Sequence, residues 1–422
     1  MRFCLYLFCL ALLVSCASEE KAGPAAASTF LRYFNGGNND EARAIIQTED
    51  QGFIILANTA IKPSELIEAH YKIKLIKTDA YGNQQWQKFY PAYGEDDNTQ
   101  GNSKLSYKGN GIQILSNGGY VITGEDIQNN SSQLMIMTVD SEGNTPHYKT
   151  IKSTLSMSGT AVTTDSNGNF LALGAISSST NVKNMVLCKF RKTSLDSIWT
   201  GTYGAGTVIN LASKLYLDAG DNAFWGGTIR KDNTTNAIRF IKIITADGNE
   251  GGIDFDLPLS KPGITETGND ICRFGNGFAI IGTTNEKRGG ALGDFDILFK
   301  RVSADGIELS SKSFPVTNQN QEDQGQNETG NALCTTRDGG MLLLGTIDTQ
   351  GTLGRGDKDF YLIKTDAFGT VEWTQSYGSK FEDIGVSVIR TNDGGYVVLG
   401  TTTLSRVKTI TLLKVNGTGN LE

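Results

Sequence analysis

Residues able to do chemistry are sparse in this chain and scattered along it. His70 and His147 are its only histidines, and no HExxH, GxSxG or phosphate-loop pattern occurs. Acid–base work would therefore fall to carboxylates. A pair of Asp or Glu can serve as proton donor and base without histidine, but with 45 acids present chance supplies many pairs and spacing singles out none. Asp294, Asp296, Asp357 and Asp359 stand at matching places before apolar runs. Their oxygens suit Ca²⁺, yet no loop has EF-hand spacing and two acids make a weak site; turns capped by these side chains are the competing reading. Three Gly-Asn pairs open apolar runs and place Asn110, Asn269 and Asn331 after Gly109, Gly268 and Gly330. A ring of carboxamides could hydrogen-bond a polar ligand or order water. The same pair also suits a strand start whose Asn caps a turn.

Cysteine gives no metal site and no disulfide framework. Cys4, Cys9 and Cys16 lie in the first 16 residues, and Cys188, Cys272 and Cys334 sit singly in apolar runs. There is no CxxC and no Cys/His cluster, so the last three read as small core residues. No cofactor is indicated. The net charge of -7 argues against nucleic acid as a partner, since a phosphate-binding surface normally needs an excess of Lys and Arg.

The elements that would position these residues come from a repeat. "NDGGYVVLGTT" at 392–402 has weaker copies in "SNGGYVITGE", "RDGGMLLLGT" and "GNGFAIIGTT". Aligned on the residue that ends the apolar strand, the copies fall at Ala57, Gly124, Gly174, Gly227, Gly282, Gly345 and Gly400, at intervals of 50 to 67 residues. Each unit reads strand, tight turn, apolar strand, variable loop, third strand, second tight turn and fourth strand. Asn or Asp caps such turns and Gly takes positive φ. In "KTDAYGNQQW" and "KTDAFGTVEW", Asp79 and Asp366 would cap, Gly82 and Gly369 would take the left-handed position, and Trp86 and Trp373 would anchor neighbouring sheets.

Four short antiparallel strands at this period are a propeller blade. The fold class is all-β: a seven-bladed β-propeller of four-stranded antiparallel blades. The last unit lacks a fourth strand, and "STFLRYFNGG" at 28–37 resembles one. An N-terminal strand over about 29–34 would complete the seventh blade and remove the open edge. Eight blades would follow if a long insert hid a degenerate unit, and the fourth unit, "DNAFWGGTIR", matches worst. The scheme puts two short connections per blade on one face and two long ones on the other, where binding loops belong.

The first fifteen residues, "MRFCLYLFCLALLVS", carry one Arg and an apolar run too short to span a bilayer as a helix. "LVSC", ending at Cys16, resembles the lipobox of bacterial lipoproteins. That implies a signal peptide over 1–15 and a lipidated Cys16, palmitate being a typical acyl chain, followed by a flexible tether over 16–28. Ser18, Glu19 and Glu20 look like the surface-export signal of Bacteroidota-type outer-membrane lipoproteins; a solvated acidic linker is the alternative. Over 29–422 the chain resembles lipid-anchored bacterial proteins with DGGY-apolar-G propeller repeats. It has no WD or kelch scheme, and the sialidase Asp box does not fit. The resemblance implies a lipid-anchored protein of the outer membrane, exposed at the cell surface. On this reading it is a non-catalytic binding or docking module beside an outer-membrane partner, with a glycan or peptide as ligand. The alternatives are a carboxylate-based glycan-active enzyme and a structural subunit of an outer-membrane assembly.

Overall fold

Turn chemistry sets the strand lengths. In the turn between Thr336 and Gly340, Asp338 Oδ1 accepts from Gly340 N at 3.2 Å. Gly339 has φ +84° and supplies the left-handed step. Gly340 is needed for a different reason: a Cβ there would stand 2.0 Å from the Thr365 carbonyl oxygen of the third strand. The double glycine is therefore one turn requirement and one close approach. In the other tight turn Asp79 Oδ1 accepts from Tyr81 N at 2.9 Å and Asn83 N at 2.8 Å. Asp366 repeats this with Phe368 N and Thr370 N, both at 2.8 Å. Gly82 and Gly369 both have φ +76°, as the sequence predicts.

A computed structural model describes residues 28–61, 70–91, 106–128, 131–179, 182–203, 207–211, 214–230, 235–244, 249–256, 263–286, 292–316, 326–348 and 357–421. The strands form seven antiparallel sheets, the blades of a seven-bladed β-propeller. The innermost strands of blades 1 to 7 are Asn39–Gln47, Tyr107–Ile114, Met157–Thr164, Thr207–Leu211, Glu266–Phe274, Glu328–Thr335 and Asp383–Arg390. Second strands are covered on both faces, so they read as unbroken apolar runs rather than alternating ones. In Phe53–Ile61, for instance, Phe53, Ile54, Ile55, Leu56 and Ala57 are all fully buried.

Closure is by the N-terminal strand. Phe30–Phe34 pairs antiparallel with Val407–Val415, Phe30 opposite Lys414 and Phe34 opposite Ile410. Trp86 of blade 1 lies against Gly143 in a turn of blade 2, whose carbonyl accepts from Tyr90 Oη. Trp373 and Tyr377 of blade 6 hold Gly419 of blade 7 in the same way. The Trp positions thus anchor one blade to the next.

Two expectations change. The second-to-third connection is not long in every blade. In blades 2, 3 and 7 the ladder closes at Gln128 opposite Ser131, Ser179 opposite Val182 and Leu404 opposite Val407. In the last of these Ser405 and Arg406 have φ 50° and 70°, the two-residue hairpin that matches strand twist. Blade 4, the poorest repeat, keeps its place but breaks its inner edge into Thr207–Leu211 and Tyr216–Leu217.

Candidate functional site

On the long-loop side every innermost strand slips register at the same place. The shifts fall between Ala42 and Ala44, Gly109 and Gly111, Gly159 and Ala161, Val208 and Asn210, Gly268 and Asp270, Gly330 and Ala332, and Gly385 and Ser387. Each is a one-residue β-bulge, a device that bends a strand and re-aims a side chain. The predicted Asn110, Asn269 and Asn331 are bulge residues, all half-buried. Asn110 Nδ2 donates to Gly159 O at 2.8 Å, and Asn269 Nδ2 to Gly330 O at 2.7 Å, each in the next blade. Asn331 Nδ2 donates to Thr346 Oγ1 in its own blade at 2.7 Å. Second-strand side chains add ties beside the bulges. Gly109 N donates to Asn58 Oδ1 at 2.8 Å, Gly268 N to Thr228 Oγ1 at 3.0 Å, Gly385 N to Thr346 Oγ1 at 3.1 Å and Ala42 N to Thr401 Oγ1 at 3.1 Å.

Blade 1 departs from the Asn pattern. Its bulge residue is Arg43, which a search for Gly-Asn pairs misses because Ala42 stands in the glycine's place. Around it three blades bring together a charged group. Glu41 Oε1 accepts from Lys408 Nζ of blade 7 at 2.7 Å, and Glu41 Oε2 from Arg43 at 3.0 Å. Burial pushes the Glu41 carboxyl up, but the Lys408 hydrogen bond and the charges of Arg43, Lys408 and Lys108 outweigh it, so its pKa is lowered. Lys108 of blade 2 lies 3.8 Å above the ring of Tyr71 and opposite Glu125 in the ladder. Glu125 accepts from Ser132 Oγ at 2.8 Å and from Asn110 Nδ2 at 3.4 Å. Glu41, Arg43, Lys108, Asn110, Tyr71 and Glu125 are all half-buried. They combine two carboxylates, three cations with Lys408, a carboxamide and a phenol on one sector of the rim. His70 precedes Tyr71 in blade 1 and is half-buried, whereas His147 is exposed on the outer strand of blade 2.

Other acids at this level are held in ion pairs and hydrogen bonds. Asp40 and Lys74 form an ion pair at 2.7 Å with both side chains 1% exposed, and Thr59 Oγ1 donates to Asp40 at 2.6 Å. Asp383 accepts from Ser379 N at 2.6 Å and from Thr402 Oγ1. Burial raises the pKa of Glu266, against the opposing effect of Lys300 at 3.2 Å. Lys214, from the gap in blade 4, donates to Asp270 Oδ2 at 2.6 Å and to Leu333 O at 3.2 Å, which ties three blades where the inner strand is broken. Turn capping does not describe Asp296 and Asp359, which are buried inside strands; Asp294 is half-buried and Asp357 exposed. Among the described residues no three His, Cys, Asp or Glu come together as a metal site. Burial pushes the Cys272 and Cys334 thiols up to about 12. Cys16, Ser18, Glu19 and Glu20 lie outside the described residues.

No family model matches the chain, and no curated protein matches its sequence. Solved structures match its shape. An ulvan lyase from a new family of polysaccharide lyases, bound to -[GlcA(1-4)Rha3S]-, aligns with TM-score 0.55 and 9% identity over 92% of this chain and 97% of that one. A puromycin hydrolase aligns with TM-score 0.51 and 11% identity over 88% of this chain and 51% of that one. At such identity the likeness carries the fold alone. The expectation of a non-catalytic docking module is nevertheless corrected, and with it the conclusion that the chain is not an enzyme. Proteins of this shape are named as enzymes, glycan-cleaving ones among them, so a missing catalytic motif was no argument against activity.

Proposed function

We propose that the protein is a glycan-active enzyme working by carboxylate acid–base chemistry at the long-loop rim of the ring, with Glu41 and Glu125 as its carboxylates. The observation that carries this reading is their placement. They come from consecutive blades and are half-buried, Lys108 lying opposite Glu125 in the ladder while its charge acts on Glu41. Glu41, held ionised by its cations, suits the base or nucleophile. Glu125, with Asn110 and Ser132 fixing its oxygens, is the partner. Two carboxylates of unlike surroundings are what glycoside cleavage requires, and the shape shared with a polysaccharide lyase supports a glycan substrate.

The test is a panel of neutral, uronate-containing and sulfated polysaccharides assayed for new reducing ends and for unsaturated products. Glu41→Gln and Glu125→Gln should each lower the rate by about 10²–10⁴-fold with little change in melting temperature. No turnover by the natural chain on any panel member, or full activity in both variants, refutes the reading. We also propose that lipidated Cys16 anchors this enzyme at the outer membrane, facing the cell surface. Metabolic labelling with palmitate should mark the natural chain and leave Cys16→Ala unlabelled.

A further inference from the structure

We infer that the rim between blades 7 and 2 is a subsite for an anionic sugar unit, a uronate carboxylate or a sulfate ester, held by Arg43, Lys108 and Lys408. This names the substrate class of the site proposed above and rests on that reading. Each of three consecutive blades contributes one cation, and the charges of all three act on the single carboxylate of Glu41. Glu125 adds a second negative charge, so among these described side chains three cations face two carboxylates. The chain as a whole carries -7. A locally positive patch on an acidic surface concentrates field at that point and attracts an anion there rather than over the whole molecule.

Donors remain for a ligand. Arg43 occupies the bulge position, where a side chain is re-aimed, and its Nε is buried without a hydrogen-bond partner. A guanidinium has five N–H donors in a planar fork that matches carboxylate and sulfate oxygens, and one Arg43 nitrogen is occupied by Glu41. Lys108 stands over Tyr71 rather than against a carboxylate within ion-pair distance among the described residues. Asn110 and Glu125 adjoin on the Lys108 side, so hydroxyl partners lie beside the charged ones. A sugar ring with one acidic substituent presents the matching arrangement.

The experiment is retention and calorimetric binding of the full chain with three probes: oligogalacturonate, sulfated dextran and plain dextran. Arg43→Gln, Lys408→Gln and Arg43→Lys are compared with the natural chain, each checked for an unchanged circular-dichroism melt. One or both anionic probes should bind with affinity that falls as salt rises, and plain dextran should not. Retention of only one anionic probe identifies carboxylate or sulfate. Arg43→Gln and Lys408→Gln should each weaken binding by about 10- to 100-fold, the worth of a charge-assisted hydrogen bond. Arg43→Lys should recover only part of it, because the fork is lost. Equal binding of plain and sulfated dextran, or unchanged affinity in the Gln variants, overturns the subsite. Cleavage is measured alongside. Anion binding without cleavage leaves the subsite standing and removes the enzyme reading; cleavage of neutral glycan alone, unaffected by the variants, does the reverse.

Discussion

Removing Phe30 tests how the ring is closed. Phe30 opens the N-terminal strand that completes the seventh blade by pairing with Val407–Val415. It is 6% exposed, packs in one apolar cluster with Phe53, Ile410 and Leu412, and meets Phe53 edge-on at 6.4 Å. Burying such a side chain stabilises by about 1.5–3 kcal/mol, and the aromatic pair adds roughly 0.5–1.5 kcal/mol. With the cavity left behind, Phe30→Ala should cost about 3–5 kcal/mol. Adding Phe34→Ala, which removes a side chain 8% exposed in the same cluster, should bring the loss near the whole stability of an ordinary domain, about 5–15 kcal/mol. The strand Val407–Val415 would then be left as an open, apolar edge prone to association. Guanidinium unfolding followed by tryptophan fluorescence measures the single variant, with Leu31→Ser, 39% exposed, as control. Light scattering follows the double variant. If Phe30→Ala is no more damaging than Leu31→Ser, the N-terminal strand does not hold the seventh blade and the closure argument fails.

Other consequences follow from the same geometry. Gly340→Ala should lower the melting temperature more than Gly339→Ala. The first drives a methyl to 2.0 Å from Thr365 O, whereas the second meets only the cost of φ +84°, about 1–2 kcal/mol. Lys74→Met should cost about 3–5 kcal/mol by stranding the Asp40 carboxylate, and Asp40→Leu in the same chain should restore most of it; denaturant midpoints decide. Asp338 is held at a pKa of about 2 by hydrogen bonds from Lys364 and Thr336. A depressed carboxyl stabilises fully above its unfolded pKa near ~3.9 and loses that as pH falls through the folded value. Melting curves of Asp338→Asn should therefore show a shallower fall between about pH 4 and pH 2 than the natural chain.

Much of the ring was legible locally. "DGG" and "DAFG" state a turn and its capping side chain in four or five adjacent residues. Asp79 and Asp366 hold their turns as the sequence requires because no distant partner is involved. The closing strand was readable because the seventh unit is one strand short. Blade 4 was legible only as a weak match: its broken inner edge is rescued by Lys214 reaching Asp270 and Leu333, up to 119 residues away. The candidate site was almost illegible. Asn110 stands out next to a glycine, but Arg43 does not, and its place among the bulges emerges only from strand register.

The amino-acid sequence by itself determined the blade, its turns, the count of seven and the way the circle shuts, since each depends on period and on residues close in the chain. Tertiary structure decided which charges meet. Lys408 and Glu41 are 367 residues apart and touch at 2.7 Å because closing a ring makes neighbours of its first and last blades. A contact set by closure leaves no mark in local spacing, so the chemistry of the rim could be read only once the ring was complete.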